Sequence, residues 1–164
     1  MEYWDLYDEN RDKTGRTVIR GEKMLPGDYH LVVFAIILNN KGECLISKRT
    51  PNKTFPNMWE ITGGSAVSGD TSCDAVLREI NEELGIEMPR DSGELVMQFI
   101  NEGNFSYFGD VWRFRYDICI EEIICQPEEV SDAKWVSKEE LLYLIETGEF
   151  INNPYVVSAV EQFV

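Results

Sequence analysis

The stretch of sequence that decides the fold reads Gly64-Ser-Ala-Val-Ser-Gly-Asp70-Thr-Ser-Cys-Asp-Ala-Val-Leu-Arg78-Glu79-Ile-Asn-Glu82-Glu83-Leu-Gly85-Ile86. Apolar residues recur in it at three- and four-residue steps, which predicts an amphipathic helix from Thr71 to Leu84. Thr71 or Asp70 is suited to cap the start of this helix, and Gly85 stands where a helix C-cap is expected. The stretch therefore predicts a loop, a helix and a second loop.

Three glutamates, Glu79, Glu82 and Glu83, are spaced so that their carboxylates leave one face of this helix within a single turn. The like charges repel one another, and the negative end of the helix dipole makes their position less favourable still. A hard cation such as Mg²⁺ or Mn²⁺ would reverse this cost, because it prefers oxygen ligands on a rigid frame. The spacing indicates a metal site, and an acidic face that is merely solvated is the alternative.

Residues around the glutamates favour the metal site. Gly63 and Gly64 allow a close approach of the backbone that a side chain would block, and they can direct a carbonyl at the same ion. Arg78 can orient a carboxylate, and the alternative for it is an ordinary surface pair with Asp74. Together these residues favour a metal site over a solvated helix face as the interpretation of the three glutamates.

The pattern from Gly64 to Ile86 resembles the Nudix box, G-x5-E-x7-R-E-U-x-E-E-x-G-U, in which U is an aliphatic residue. Every fixed position is matched except one, because Asp70 stands where the family has glutamate. This exchange keeps the charge on a side chain that is one methylene shorter, at a position that is mostly structural in the family. Gly64 and Gly85 are the two fixed glycines of the motif.

The resemblance implies a mixed α/β fold, the Nudix α/β/α sandwich, with a mixed sheet. The expected organisation is a single domain over residues 1–164. In it, residues 29–164 form the core, and residues 1–28 add an N-terminal β-hairpin and a connector.

The resemblance also implies roles for individual residues. Glu82 and Glu83 correspond to the main metal ligands, with the carbonyl of Gly63 beside them. Glu79 would bind metal or act as the base, and Arg78 would hold the carboxylates in place. The implied reaction is Mg²⁺-dependent hydrolysis, with Mn²⁺ as an alternative ion, of the diphosphate bond in a nucleoside diphosphate linked to another group.

Four charged residues outside the motif are further candidates. Lys48 and Arg49 end a predicted strand at a place where such proteins often contact substrate phosphate, and a plain basic strand end is the alternative. Glu128 and Glu129 could provide the additional glutamate that many family members bring from a distant loop, and surface charge is the alternative. The loops at 49–57 and 101–110 are expected to select the substrate, yet nothing in them names it.

The rest of the chain predicts strands with two further helices. The nearly continuous apolar run His30–Leu38 indicates a central strand that is buried on both faces, with Glu43–Arg49 as its antiparallel partner. The other predicted elements are strands at Trp4–Asp8 and Arg16–Arg20, Met58–Ile61, Glu94–Glu102 and Asp110–Glu121, a strand ending at Lys134–Val136, a helix opened by Ser137–Glu140 and a helix over Asn153–Phe163. Thr62-Gly63-Gly64 is expected to interrupt the strands.

The composition restricts the partners. Thirty acidic against fifteen basic residues give a net charge of −15, which repels nucleic acid and anionic lipid and leaves a small diphosphate compound as the expected partner. No apolar segment has signal-peptide or membrane-spanning length, so a cytoplasmic protein is expected. The four scattered cysteines are expected to be buried reduced thiols. The oligomeric state is left open, a homodimer included.

Two other functions are alternatives to diphosphate hydrolysis. The layout around Gly27–Leu31 and Lys48–Thr50 also resembles the isopentenyl-diphosphate isomerases that share the fold. Those enzymes need a cysteine and two histidines after the tryptophan, whereas Trp59–Ser65 contains neither, and His30 is the only histidine in the chain. A binding module that has lost catalysis is the second alternative, and the intact carboxylates argue against it.

Overall fold

The computed structural model describes all residues 1–164, which form nine strands, three α-helices and one short 3-10 turn at Ile120–Glu122. The strands are β1 (Tyr3–Tyr7), β2 (Lys13–Ile19), β3 (His30–Leu38), β4 (Cys44–Arg49), β5 (Trp59–Glu60), β6 (Thr62–Ser65), β7 (Gly93–Asn101), β8 (Tyr107–Arg115) and β9 (Val130–Val136). The helices are α1 (Ser72–Leu84), α2 (Lys138–Glu146) and α3 (Pro154–Phe163). None of the three has the length and apolar character that crossing a membrane requires.

Strand β3 is the centre of a mixed seven-stranded sheet. It pairs in parallel with β8 along its whole length, from His30 opposite Tyr107 to Leu38 opposite Arg115. Its other edge pairs antiparallel with β6 and, through Leu38 and Cys44, with β4. The order β5-β4-β3-β8-β7, with β6 on β3 and β9 on β4, confirms the expected mixed α/β class.

The two faces of β3 belong to two different cores, which is why its sequence shows no polar alternation. Leu31, Val33, Ala35 and Ile37 pack in one cluster with residues of α1. Ile36 and Leu38 pack in the other cluster with residues of α2 and α3. The strand is thus buried on both faces, as predicted, and the helices cover the sheet from two sides as an α/β/α sandwich.

The N-terminal hairpin of β1 and β2 forms a separate two-stranded sheet that lies against the core. The ring of Trp4 stacks on the ring of His30 with 4.1 Å between centroids and 10° between planes. Burial and the charge of Arg20 lower the pKa of His30 to about 4, so the imidazole is neutral at physiological pH. The Nδ1 atom of His30 is buried and has no hydrogen-bond partner.

Polar contacts also hold the hairpin against the sandwich. The Asp5 carboxylate accepts hydrogen bonds from the Ser68 hydroxyl (2.6 Å) and the Gly69 backbone N–H (3.0 Å), both in the loop before α1. The buried Asp110 carboxylate accepts from Arg11 in the hairpin turn and from Ser72 in the first turn of α1. The hairpin is therefore tied directly to the helix that carries the glutamates.

Two glycine-containing segments differ from the sequence-based expectation. Residues 62–65 form strand β6 rather than an interruption, since a side chain at Gly63 would overlap the carbonyl oxygen of Val33 on the paired strand. Strand β8 begins before Gly109 instead of after it, because the ring of Phe99 lies directly over that glycine. In both places glycine permits close packing, whereas local sequence rules interpret it as a break.

The expectation for the cysteines was correct only in part. All four are free thiols, but only Cys44 is buried, and Cys119 is exposed. Cys119 lies in the irregular segment after β8, which ends at Arg115, well before the predicted Glu121.

Replacing Gly85 by alanine is expected to destabilise the protein through backbone strain and a steric contact. Gly85 has a left-handed backbone with φ 66°, and a Cβ there would lie 2.9 Å from the Cβ of Ile124. Gly148→Ala is the matched control, because Gly148 has φ 76° but open space around it. The control is expected to cost about 1–2 kcal/mol of unfolding free energy and Gly85→Ala more, as measured by urea denaturation. Equal losses would contradict the role of the Ile124 contact.

Candidate active site

Helix α1 begins and ends at the residues that its sequence indicates. Thr71 is the N-cap, and its hydroxyl accepts a hydrogen bond from the backbone N–H of Asp74. The Asp74 carboxylate accepts in return from the backbone N–H of Thr71 and also pairs with Arg90, so it is not the partner of Arg78. Gly85 closes the helix in the left-handed conformation. These caps place the three glutamates in the last two turns of α1.

Arg78 is the centre of an acidic network. Its guanidinium donates to the carboxylates of Glu79 at 2.9 Å and of Glu82 and Asp70, both at 3.1 Å. It also donates to the backbone carbonyl of Ser65. One cation thus binds the loop before the helix to two of the three glutamates. Asp70, although shorter than the glutamate of the motif, still reaches it.

Glu83 is the least exposed of the three glutamates and the least satisfied. It is 8% exposed, and its Oε2 atom has no hydrogen-bond partner. Burial, followed by the charges of Glu60 and Glu79, raises the pKa of Glu83 well above its usual range. A buried carboxylate with a free oxygen is destabilising unless a cation or a proton reaches it.

Glu79 lies beneath the glycine pair. A Cβ atom at Gly64 would overlap the carboxyl group of Glu79, so a side chain at this position would displace that carboxyl group. Burial raises the pKa of Glu79, although the charge of Arg78 opposes the shift. The first glycine of the motif therefore leaves room for this carboxylate directly against the backbone.

The glutamates face an open, polar pocket at one end of α1. Only one of its lining residues, Val32, is hydrophobic. The lining residues are Glu2, Arg20, Val32, Arg49, Lys53, Gly63, Gly64, Ser65, Arg78, Glu79, Glu82, Glu83, Gln126 and Glu129. The structure thus brings Gly63, Arg78 and all three glutamates of the predicted metal site to one pocket.

The carboxylates do not converge as a ready-made metal cage. No group of three acidic, histidine or cysteine side chains is arranged to hold an ion. The reason is Arg78, which binds Glu79 and Glu82, while the half-exposed Glu82 side chain extends toward solvent. The unpartnered oxygen of Glu83 and the backbone of Gly64 beside Glu79 nevertheless offer oxygen atoms of the kind that a hard dication prefers.

Among the predicted substrate and acid residues, the structure separates each neighbouring pair. Arg49 lines the pocket, whereas the amino group of Lys48 lies outside it, 5.5 Å from the centroid of the Trp59 ring. Glu129 lines the pocket and forms an ion pair with Lys53, whereas Glu128 is exposed outside it. Alternation along β4 explains the first separation, since neighbouring side chains of a strand point to opposite sides. Glu128 and Glu129 are separated by the turn that precedes β9.

Several residues in and around the pocket carry no signal in the sequence. Lys53 lines the pocket and comes from the loop at 49–57, which is expected to select the substrate. Glu60 does not line the pocket, but it is mostly buried near Glu83 and accepts two hydrogen bonds from Arg49, at 2.9 and 3.1 Å. Glu2 and Arg20 come from the hairpin, whose sequence carries no motif. Only the folded arrangement of distant segments could reveal them.

The Nudix domain model matches residues 28–157 of the chain. The chain belongs to the Nudix family. An uncharacterised Nudix hydrolase of Listeria monocytogenes is 45% identical over 157 residues, covering 94% of this chain and 90% of that protein. A crystal structure from Deinococcus radiodurans matches with a TM-score of 0.79 and 28% identity, covering 99% of this chain and all of that one. An isopentenyl-diphosphate isomerase of Corynebacterium diphtheriae is 26% identical over 80% of this chain and 76% of its own length.

Membership assigns the chain to the Nudix hydrolases, enzymes that hydrolyse nucleoside diphosphate derivatives and generally use divalent metal ions. The predicted box is thus confirmed as the mark of the family. The acidic pocket around α1 is the part of the Nudix fold in which the box residues meet.

For the metal-free Nudix domain, Glu83→Gln is expected to be more stable than wild type at neutral pH, because it removes a buried charge. Since burial raises the pKa of Glu83, the native state keeps a proton that the unfolded chain has lost. Wild-type stability therefore falls as pH rises from the usual carboxyl range through the raised pKa, and the advantage of the variant grows over that interval. Thermal unfolding in chelator between about pH 4 and pH 8 measures this difference.

The matched control is Glu82→Gln, which makes the same chemical change at a half-exposed side chain in the same turn. It is expected to change the unfolding free energy by less than about 0.5 kcal/mol, with the loss of one surface contact to Arg78. A pH-independent stability difference between wild type and Glu83→Gln would show that the pKa of Glu83 is not raised.

Proposed function

We propose that this Nudix hydrolase cleaves the diphosphate bond of a small nucleoside-diphosphate-linked or related pyrophosphate compound. Mg²⁺, or Mn²⁺ in its place, would be held by Glu79, Glu82, Glu83 and the carbonyl of Gly63. The observation that carries this proposal is the buried Glu83 carboxylate, whose Oε2 atom has no partner. A cation at the pocket satisfies that oxygen and offsets the repulsion among the glutamates.

The bound ion would neutralise diphosphate oxygens and lower the pKa of an attacking water. The chain's own residues have complementary tasks in this proposal. Arg78 orients Glu79 and Glu82 through its contacts with both carboxylates. Arg49 and Lys53, which both line the pocket, donate hydrogen bonds to the phosphate oxygens. The leaving phosphate is thereby held by cations on the side of the pocket that faces Glu83.

Two carboxylates of the pocket are candidates for the base that takes the proton of the attacking water. Glu79 is mostly buried, and its raised pKa makes it a better proton acceptor than an ordinary glutamate. Glu129 comes from the loop before β9, and its ion pair with Lys53 holds it at the pocket. Of the two, Glu79 lies at the proposed metal site. Glu129 is the additional acidic residue that a distant loop brings to the pocket.

We further propose that residues 1–164 act as one domain, in which the hairpin and connector of residues 1–28 complete the core of residues 29–164. The support is the shared pocket, because Glu2 and Arg20 line it together with the glutamates of α1. The bonds from the loop before α1 to Asp5 fix this arrangement.

Isomerisation of isopentenyl diphosphate is the second candidate, favoured by the similarity to a named isomerase. The arrangement of this chain argues against it. His30, the only histidine, is buried beneath Trp4 and does not line the pocket, so the paired histidines of the isomerases have no counterpart. A catalytically silent binding module is the third candidate.

A product screen separates the three candidates. Purified protein with Mg²⁺ or Mn²⁺ is offered nucleotide sugars, ADP-ribose, dinucleotides, coenzyme A, nucleoside triphosphates and isopentenyl diphosphate. Hydrolysis of a diphosphate bond is expected. Isomer formation would instead support the isomerase, and the absence of any product would support the binding module.

Glu83→Gln is expected to lower turnover on the order of 100-fold or more, because the amide is a much poorer ligand for a hard cation. The control is Glu87→Gln, the same change at an exposed glutamate just beyond the motif, which is expected to leave turnover unchanged. Steady-state kinetics with the compound found in the screen measure both. Unchanged turnover in Glu83→Gln would rule out the proposed ligand.

A second pair of variants tests Glu129 as the additional acidic residue of the pocket. Glu129→Gln is expected to lower kcat about 10-fold or more, as removal of a proton-accepting group does, whereas Glu128→Gln leaves it unchanged. The two residues are neighbours, and only Glu129 lines the pocket. Rates that fall equally in both variants would indicate a disturbance of the loop rather than a role in catalysis.

A further inference from the structure

The hairpin contributes one cation to the active-site pocket. Arg20 follows β2, and its backbone N–H donates to the carbonyl of Glu2 at 3.0 Å, so the two residues face each other at the open end of the hairpin. Both side chains line the pocket of Glu79 and Glu83. Arg20 lies outside residues 28–157, the part that the family model matches.

Arg20 belongs to a group of three cations on one side of the pocket, together with Arg49 and Lys53. Burial lowers the pKa of Lys53, and the nearby charges of Arg49 and Arg20 lower it further. In a chain of net charge −15, three mutually repelling cations in one place are the arrangement expected of an anion-binding surface.

Each of the three cations has its own carboxylate partner, but the pairs differ in exposure. Arg49 binds Glu60 and Lys53 binds Glu129, and the two cationic side chains are 19% and 23% exposed. Arg20 binds Glu2 at 3.1 Å with 57% of its side chain exposed. Exposed ion pairs contribute little to stability, so the pair of Arg20 is the one most easily exchanged for a ligand.

Arg20 also has the chemistry to take a phosphate in place of Glu2. Its Nη1 atom donates to both carboxylate oxygens of Glu2, at 3.3 and 3.1 Å, and a phosphate offers a similar set of oxygens with more negative charge. Glu2 keeps a second partner after the exchange, since its Oε1 atom accepts from the indole N–H of Trp4 at 2.9 Å. Release of Arg20 therefore leaves Glu2 hydrogen-bonded.

We propose that Arg20 determines specificity by binding an anionic group of the substrate beyond the cleaved diphosphate, and that Glu2 occupies Arg20 until that group arrives. The substrate class is a phosphate-rich compound with a third phosphate or an equivalent anionic group. The lining supports this class, because Val32 is its one hydrophobic residue and no aromatic side chain lines the pocket. The location of the diphosphate itself rests on the function proposed above.

The test compares inorganic pyrophosphate with inorganic tripolyphosphate, which adds one phosphate to an otherwise similar ligand. Binding is measured by calorimetry with Ca²⁺ in place of Mg²⁺ to slow turnover. The variants are Arg20→Gln, Glu2→Gln and the control Arg115→Gln, which removes the same charge from an exposed arginine outside the pocket. Thermal unfolding of all four proteins checks that the fold is retained.

Arg20→Gln is expected to weaken tripolyphosphate binding about tenfold and pyrophosphate binding less than about twofold, because a charge-assisted contact to the third phosphate is lost. Glu2→Gln is expected to strengthen tripolyphosphate binding, since Arg20 then has no competing carboxylate. The two members of one ion pair thus shift the affinity in opposite directions, which a purely structural pair would not do. Arg115→Gln is expected to change neither affinity.

Several outcomes overturn the proposal. Equal losses for both ligands in Arg20→Gln, weaker binding in Glu2→Gln, or an equal effect of Arg115→Gln would each do so, as would the absence of binding to wild type. A failure of the proposed function is distinguishable, because it shows as absence of hydrolysis in the product screen while the titrations still report on Arg20. With a triphosphate substrate, Arg20→Gln is expected to raise KM and leave kcat nearly unchanged.

Discussion

Arg78 donates hydrogen bonds to three acidic side chains, Asp70, Glu79 and Glu82, and to the carbonyl of Ser65. The chain has twice as many acidic as basic residues. The Arg78 guanidinium offsets the repulsion between the carboxylates at the end of α1 and connects the helix to the loop before it. Its planar group of donors suits the task, because a lysine ammonium offers fewer directed bonds. The position of Glu79 against Gly64 and the direction of the Glu82 side chain depend on this network.

The Arg78 network does not reach the Oε2 atom of Glu83, which has no hydrogen-bond partner. This atom links the stability of the fold to the proposed metal binding. Glu83 lies beyond the reach of Arg78 and is buried beside Glu60 and Glu79, so the metal-free fold keeps a carboxylate in an unfavourable place. Such local costs are common at functional sites, where the rest of the fold must over-determine the arrangement. Here the caps of α1 and its apolar face against β3 hold the helix in position despite the repulsion.

The hairpin adds two residues from outside the Nudix box to the pocket of the box glutamates. It is joined to the sandwich by the stack of Trp4 on His30, by Asp5 at the loop before α1 and by Arg11 at Asp110. Through Ser72, Asp110 also connects the hairpin turn to the start of α1. These contacts place Arg20 and Glu2 at the pocket without any change in the motif. In the proposed function, the chemistry and the selection of the substrate are therefore carried by different parts of the chain.

Local sequence determined the features that follow from local periodicity and from the spacing of the motif. The bounds of α1, its caps, the doubly buried β3 and the shared pocket of the three glutamates could all be predicted, because each depends on residues within a few turns or along one strand. The N-caps of α2 at Ser137 and of α3 at Asn153 are also determined by local sequence. The family can be predicted for the same reason, since the box from Gly64 to Ile86 occupies one continuous segment.

Tertiary structure alone decided which charged residues meet. The sequence offers Lys48 and Arg49 as equal candidates for a phosphate contact, and Glu128 and Glu129 as equal candidates for the additional acidic residue. In each pair, only the second residue lines the pocket. Strand β6 exists because β3 pairs with it, and the pocket includes Arg20 because the hairpin folds back over the sandwich. The physical reason is that electrostatic and packing partners are chosen by distance in space, and contacts between remote segments leave no periodic trace along the chain.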